Sequence, residues 1–411
     1  MYFKGLKCSK CGSIYSETKF LEKCPSCGEK WMGFSAVYDF PSLSAVISKE
    51  KIASRERSLW RYLEILPLSD EKHIISRLEG WTPLYKSKKL SRQLGLSNLL
   101  LKDETVNPSG SFKDRGATVT ISKAVELGFK NMIVASSGNF GAAIARCCAI
   151  AGLSCHVLTP FEVSLDKLTQ IMVYGSGVVK VRGPVDNARN LTGEVYKHLG
   201  IPSANVQFRP MFSEGLKTTA LEICEQLGWK APKRLIVPTG SGQHLLAIWK
   251  GLNELVKVGL VDELPTRLVA AQAEGCPPYV NALKRGKEYV EPVVPCTIAT
   301  GLAVSIPAEG ALVLNAVRQS HGTAEAASDQ EILNAMKLLA KTEGVYAEPS
   351  GAVAIAVLKK MVEAGEIEED EEIVCVITGS GLKDQKAAWK LCTAPPEINA
   401  NLEELRKIIQ I

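Results

Sequence analysis

Two sets of residues in this 411-residue chain have the types and spacing that chemistry needs. The first is Cys8, Cys11, Cys24 and Cys27, two Cys-x2-Cys pairs separated by 12 residues. Each pair aims two thiolates at one point, and Gly12 and Gly28 follow directly, where a tight turn needs positive φ. Four thiolates suit one tetrahedral zinc in a closed structural site, which leaves no open position for a substrate. The alternative is four unmetallated thiols, or a ribbon that has lost its metal. A redox role would need one pair at a helix start, and no such helix is visible in the pattern. The second set lies in Leu101–Gly116, LKDETVNPSGSFKDRG. Asn107–Ser111 reads as a turn capping a helix that begins near Phe112. Lys113 then sits in a first helical turn, where the dipole and neighbouring Lys and Arg would lower its pKa. A lowered pKa makes the amine nucleophilic, as Schiff-base chemistry requires. Against this stands a solvated lysine paired with Asp114.

The elements that would position these residues are short apolar strands alternating with helices from about Gly80 onward. Residues 131–137, 154–160, 176–183, 234–240, 268–275 and 371–381 read as strands. Residues 141–152, 164–175, 186–200, 245–259, 328–344 and 351–365 read as helices. Glycines recur at strand ends, which points to an α/β fold with mainly parallel sheets flanked by helices. A helix rich in aromatic and apolar residues is expected at Leu59–Leu66. The tail after Asp384 reads as a helix at Gln385–Leu391, a Pro-containing link and an amphipathic helix at Leu402–Ile409. No internal repeat is visible.

Composition narrows the class. With 46% hydrophobic and 23% charged residues, long disorder is excluded. The best apolar runs, such as Leu235–Pro238 and Ile373–Ile377, fall far short of the roughly 20 residues that a bilayer span needs. The N-terminal MYFKGLKCSK is not a secretory signal. A net charge of +5 is too weak to argue for nucleic acid. The other cysteines (Cys147, Cys148, Cys155, Cys224, Cys276, Cys296, Cys375, Cys392) lie scattered in apolar surroundings, as buried free thiols of a cytoplasmic protein would.

SGSFKDRG resembles the pyridoxal-phosphate lysine motif of the tryptophan-synthase-β-like enzymes, fold type II, and most closely of the threonine synthases. Further resemblances follow in order. Ser136-Ser137-Gly138-Asn139 resembles the S-x-G-N loop, Glu214-Gly215-Leu216-Lys217-Thr218 resembles E-G-x-K-T, and Pro238–His244 falls at the Gly-rich phosphate loop. Glu348-Pro349-Ser350 and Thr378–Asp384 match the late E-P-[AS] and T-G-x-G-x-K-D elements. The resemblance covers about Trp81 to Asp384, and an N-terminal CxxC…CxxC ribbon also occurs in some threonine synthases. It implies Lys113 as the lysine carrying pyridoxal 5'-phosphate. Gly240, Ser241, Gly242, Gln243 and His244 are implied on the cofactor phosphate, Asn139 on the 3′-hydroxyl and Thr378 on the pyridine nitrogen. Ser136, Ser137 and Gly138 are implied at the substrate carboxylate. A strand–loop–helix junction has the N–H groups and dipole that suit a phosphate. A neutral hydroxyl such as Thr378 cannot hold the ring nitrogen protonated, which favours elimination and replacement over transamination.

One stretch departs from the pattern. Many threonine synthases read N-P-x-R before L-E-G-x-K-T, and that arginine holds the substrate phosphate. Here Phe212 stands at the arginine, Arg209 at the asparagine, and Ser241 where an asparagine is usual in the Gly-rich loop. Arg209, Ser213 and Lys217 are the nearest local replacements, and Phe212 as a core filler is the plainer alternative. The organisation implied is a zinc-ribbon-like element at 1–33, a large pyridoxal-phosphate domain at 34–115 and 216–411, and a small closing domain at 116–215. The activity implied is conversion of O-phospho-L-homoserine and water to L-threonine and phosphate, by a homodimer acting on a small amino-acid substrate. The runner-up is a β-elimination or β-replacement paralogue, such as a threonine/serine dehydratase or a phosphoserine-dependent synthase. A third reading, a zinc-ribbon binding protein on an inactive scaffold, is opposed by Lys113, Asn139 and Thr378.

Overall fold

The computed structural model describes residues 2–16, 23–28, 33–163, 165–183 and 185–409. Residues 17–22 and 29–32 of the expected ribbon, and the first residue of the helix expected at 164–175, lie outside the described residues.

Three sheets organise the chain. The first is antiparallel, in the order β2-β1-β3, from β1 (Phe3–Cys8), β2 (Ile14–Tyr15) and β3 (Phe34–Tyr38). The second has six strands in the order β11-β10-β9-β12-β5-β4. These are β4 (Leu84–Lys86), β5 (Leu99–Asp103), β9 (Arg234–Pro238), β10 (Arg267–Ala273), β11 (Thr323–Ala327) and β12 (Ile373–Ile377). All its pairings are parallel except the edge strand β4 on β5. The third sheet is parallel, in the order β6-β7-β8, from β6 (Asn131–Ala135), β7 (Ser154–Pro160) and β8 (Gly177–Val181). Every residue of β9 and β12 is buried. Strands covered on both faces need no polar alternation, so these read in the sequence as unbroken apolar runs.

The helix Asp329–Glu343 shows why local sequence sets boundaries. Ser328 and Glu331 form a reciprocal capping box, and Gly344 ends the helix at φ +71°. The expected helix at Leu59–Leu66 is a 3-10 segment, Leu59–Ile65, broken at Tyr62 (φ −100°, ψ 30°). The expected tail helices are present as Gln385–Trp389 and Leu402–Ile408.

The longest helix, Arg209–Gln226, has 18 residues and carries the E-G-L-K-T motif. It is buried nearly all round, from Pro210 to Cys224. It therefore has no polar stripe, and periodicity cannot reveal it. It crosses the helix Lys113–Glu126 in close contact. A Cβ on Gly215 would lie 2.1 Å from the Arg115 carbonyl oxygen, and one on Gly116 would lie 2.6 Å from the Phe212 ring. Two glycines thus let the helix bearing Lys113 seat against the core.

A fully buried ionic knot locks this crossing. The Arg115 guanidinium donates to Glu104 Oε2 at 2.7 Å and to Glu222 Oε1 at 2.6 Å, and the Lys102 amine donates to Glu222 Oε2 at 2.9 Å. Burying such charges is tolerable only because each is paired. The antiparallel sheet joins the same body: Phe3, Leu6, Phe34, Ala36 and Tyr38 share a core with Ala117, Ile121, Phe208, Phe212 and Leu216.

Candidate active site

Strands from both parallel sheets end at one cleft of about 1180 Å³. The loop after β6 brings Ser136–Asn139, the loop after β9 brings Gly240–His244, and the residue after β12 is Thr378. Carboxyl ends of parallel strands are where α/β folds collect ligand-binding loops. The Lys113 loop is sewn onto the end of β12. Phe112 N–H donates to the Thr378 carbonyl at 3.0 Å, and Ser380 N–H donates to the Gly110 carbonyl at 2.8 Å.

Lys113 opens its helix at the floor of this cleft. Its pKa is pulled down to about 8, first by burial and then by the charge of Arg209, while Glu309 and Glu348 act the other way. Lys113 does open a helix as expected, but the lowering comes from burial and from Arg209, not from the dipole and sequence-neighbouring cations invoked for it. Asp114 does not pair with Lys113. It is buried and accepts a hydrogen bond from Ser109 N–H at 2.6 Å, with its own pKa pushed up to about 6 by burial. The Lys113 amine stands 4.4 Å from the centre of the Phe112 ring. That ring stacks on His244, centroid to centroid 4.1 Å, and burial holds the His244 imidazole well below its ordinary pKa, hence neutral.

Gly240–His244 has the form that a phosphate needs. Gly242 precedes the helix Gln243–Lys257 with φ +87° and no side-chain cap. Gly242 itself offers no capping side chain and Gln243 N–H meets Ser241 Oγ only at 3.5 Å, so the helix start keeps a positive dipole end beside the cleft. The loop tolerates only glycine there: a Cβ on Gly242 would lie 2.3 Å from Val313 Cγ2 and 2.6 Å from the Tyr279 hydroxyl oxygen. Tyr279 also donates to the Ser241 carbonyl at 3.0 Å, which fixes the loop. His244 Nδ1 is buried with no hydrogen-bond partner among the described residues. A glycine-rich helix start, a half-buried nucleophilic amine and a buried hydroxyl at Thr378 together fit pyridoxal phosphate. Gln243 itself does not line the cleft. Its amide donates to Ser213 Oγ at 2.9 Å.

Asn139 and Thr378 both line the cleft with Lys113. Asn139 Nδ2 donates to Glu348 Oε1 at 2.8 Å. Glu348 is a site residue that the sequence reading left without a role. Burial pushes its pKa up to about 7 against the pull of Lys383 and the Asn139 hydrogen bond. The signal was available in Glu348-Pro349, a carboxylate at a helix start opposite a lysine motif, but only the fold brings them together.

The substrate side requires correction. Lys217 does not reach the cleft. Its amine is fully buried and donates to Glu214 Oε2 at 2.5 Å and Glu254 Oε2 at 2.6 Å, so it is a structural cation beneath β3. Arg209 and Ser213 stand behind Gln243. Arg209 Nε donates to Glu309 Oε1 at 2.6 Å, and Ser213 donates to the Arg209 carbonyl at 3.3 Å. Phe212 is core: its ring meets Phe140 edge-on at 4.6 Å.

At the other end of the chain the four thiols converge, with every pair of sulfurs within 4.8 Å. Cys8 and Cys27 sulfurs are 3.6 Å apart and those of Cys11 and Cys24 are 3.5 Å apart, with no disulfide among them.

A family model described as "Pyridoxal-phosphate dependent enzyme" matches residues 75–379. A threonine synthase of Methanocaldococcus jannaschii is 42% identical over 406 residues, covering 98% of this chain and 99% of its own length. One of Methanosarcina acetivorans is 38% identical over 406 residues, covering 98% of each. Among solved structures, maize serine racemase superposes with a TM-score of 0.63 at 24% identity, over 75% of this chain and 91% of that one.

Proposed function

The chain belongs to the pyridoxal-phosphate-dependent enzyme family, with its fold type II architecture, and we propose that it is a threonine synthase, a lyase that converts O-phospho-L-homoserine and water to L-threonine and phosphate. The observation that carries the reading is the convergence of Lys113, the Gly240–His244 loop, Asn139 and Thr378 on one cleft. Identity to threonine synthases over nearly the whole chain narrows the chemistry.

Bound pyridoxal phosphate supplies the electron sink that lets an amino acid lose its Cα proton. Lys113 Nζ would hold it, and the same amine, when free, would take the Cα proton and move protons at Cβ. Its depressed pKa suits that work near neutrality. Main-chain N–H groups of the Gly240–His244 loop would bind the cofactor phosphate, Asn139 the 3′-hydroxyl, and Thr378 the ring nitrogen. Ser136–Gly138 hold the substrate carboxylate at the start of the helix Asn139–Ala151. Residues 116–215, which carry the β6–β8 sheet, form the closing domain. The four N-terminal thiols hold one structural zinc, for which their spacing and lack of disulfides are the support. The enzyme works as a cytoplasmic homodimer. Its free, mostly buried thiols suit a reducing compartment, and among the described residues no helix is long and apolar enough to cross a membrane.

Phe212 in the core favours a second reading, β-replacement on a shorter phosphorylated amino acid such as O-phospho-L-serine. Phosphate release and L-threonine formation from O-phospho-L-homoserine, measured beside O-phospho-L-serine, separate the two. Turnover of phosphoserine alone would move the assignment.

A further inference from the structure

Either reading demands a cation for the departing phosphate, and the cations suggested by the sequence are committed elsewhere. Arg209 is held by Glu309, Lys217 by Glu214 and Glu254, and position 212 is phenylalanine. Among the described residues, the cations lining the cleft besides Lys113 are Arg189, Lys383 and Lys386. Arg189 and Lys386 are exposed, where water and salt weaken an ionic contact.

Lys383 differs from both. It is half-buried, and its stem runs over the Lys113 loop: a Cβ on Gly110 would lie 3.3 Å from Lys383 Cδ. Its amine donates to the Ser109 carbonyl at 2.8 Å and to Gln170 Oε1. The Gln170 amide donates to the same Ser109 carbonyl at 3.0 Å, closing a three-membered knot. Both acceptors are neutral oxygens. An ammonium has three N–H donors, so two direct it and a third remains for an anion. The carboxyls whose fields reach Lys383 are Glu348 and Asp114, themselves raised by burial to about 7 and about 6. Neither is in hydrogen-bond contact with the Lys383 amine, so the third N–H is not taken by a carboxylate.

The knot also spans the cleft. Gln170 lies on the helix Leu165–Val173, beside the β6–β8 sheet, whereas Lys383 follows β12 of the six-stranded sheet. The amine is thus aimed only when both sides are in place.

We propose that Lys383, aimed by Gln170 and the Ser109 carbonyl, is the cation that binds the leaving phosphate of the substrate. The proposal rests on reading the cleft as a pyridoxal-phosphate site for a phosphorylated amino acid.

The test uses the holoenzyme and three variants, Lys383→Met, Lys383→Arg and Gln170→Leu. Visible absorption of the Lys113-linked cofactor checks that the cofactor side is intact. Lys383→Met should raise KM for the phosphorylated substrate and Ki for inorganic phosphate about 10- to 100-fold, the range of one charge-assisted hydrogen bond. Affinity for L-threonine, which carries no phosphate, is read from the cofactor spectrum and should stay within about threefold, because the lost contact is phosphate-specific. Lys383→Arg should recover most of the loss, and Gln170→Leu should show a smaller loss in the same direction. An unchanged phosphate Ki overturns the proposal. So do equal losses for phosphate and L-threonine, which would make Lys383 only a brace for the loop. A wild type that binds cofactor yet releases phosphate from neither amino acid defeats the functional reading alone. Lys383 is then still judged by the inorganic-phosphate titration of the cofactor spectrum.

Discussion

The two sides of the cleft are built differently. The side that fits the cofactor is largely main chain: strand ends, a glycine-rich helix start and a lysine loop bonded to the end of β12. The side proposed to meet the substrate phosphate is side chain, Lys383 and Gln170, with the Arg209–Glu309 pair behind the Gly240–His244 loop. A main-chain site is fixed once the fold is fixed, and it tolerates no added Cβ. A side-chain site can be rebuilt by exchanging residues on elements that do not move. The motifs around Lys113, Gly240 and Thr378 follow a family pattern, with Ser241 an exception whose main chain still forms the loop, while positions 209 and 212 depart from it on the helix behind that loop.

The sharpest break of the comparison is Lys113→Ala. It should abolish turnover, at least a thousandfold by the usual cost of removing a covalent group. It should also erase the visible absorption of bound cofactor. Retained turnover would show that the chemistry lies elsewhere.

Gly242→Val tests whether the main-chain side is as intolerant as it looks. The new side chain would meet Val313 and Tyr279 at a position with φ +87°. Cofactor affinity should fall about tenfold or more, since the loop must shift out of its phosphate-binding form. Equilibrium dialysis of cofactor against wild type measures it, and unchanged affinity would move the phosphate site away from this loop.

These two expectations rest on what was legible in the sequence. Buried parallel strands announced themselves as apolar runs, and Gly242 lay between such a run and an amphipathic helix. Arg209–Gln226 was not legible as a helix, because burial on every side removed its periodicity. The misassignment of Lys217 follows from that omission. On a loop it could have turned toward substrate, but on this helix it lies eight residues beyond Arg209 and faces Glu254. Lys383 and Gln170 were invisible as partners because they are 213 residues apart. Glu348 had no signal of its own beyond its motif.

A smaller effect is expected at the ribbon, whose described strands share a core with the Lys113 helix. One zinc per chain should be found by metal analysis. Cys24→Ser should lose it and lower the melting temperature by about 1–2 °C, as a cost of about 1–2 kcal/mol would in a chain of this length. Phe34, Ala36 and Tyr38 pack on the Lys113 helix and its neighbour, so cofactor affinity should weaken slightly as well. Full stability without metal would make the four thiols a relic.

The smallest effect is expected at Arg209, and it sets the two sides of the cleft against each other most directly. If Arg209 held the substrate phosphate, Arg209→Ala would raise KM steeply. The geometry gives it another task. Arg209 is paired with Glu309, and its charge helps hold the Lys113 pKa at about 8. Removing it leaves the Glu309 carboxylate, which favours the protonated amine, without its cation. The Lys113 pKa then rises, and only the neutral amine attacks. Cofactor uptake by the apo-protein should increase with pH through about 8 in wild type and reach the same rate only at higher pH in the variant. At pH 7 the loss should be less than about tenfold, one pKa unit being one decade. KM for the phosphorylated substrate should change little. The reverse pattern, a KM rise of about a hundredfold with an unmoved pH inflection, would return the phosphate to Arg209 and leave Lys383 a brace.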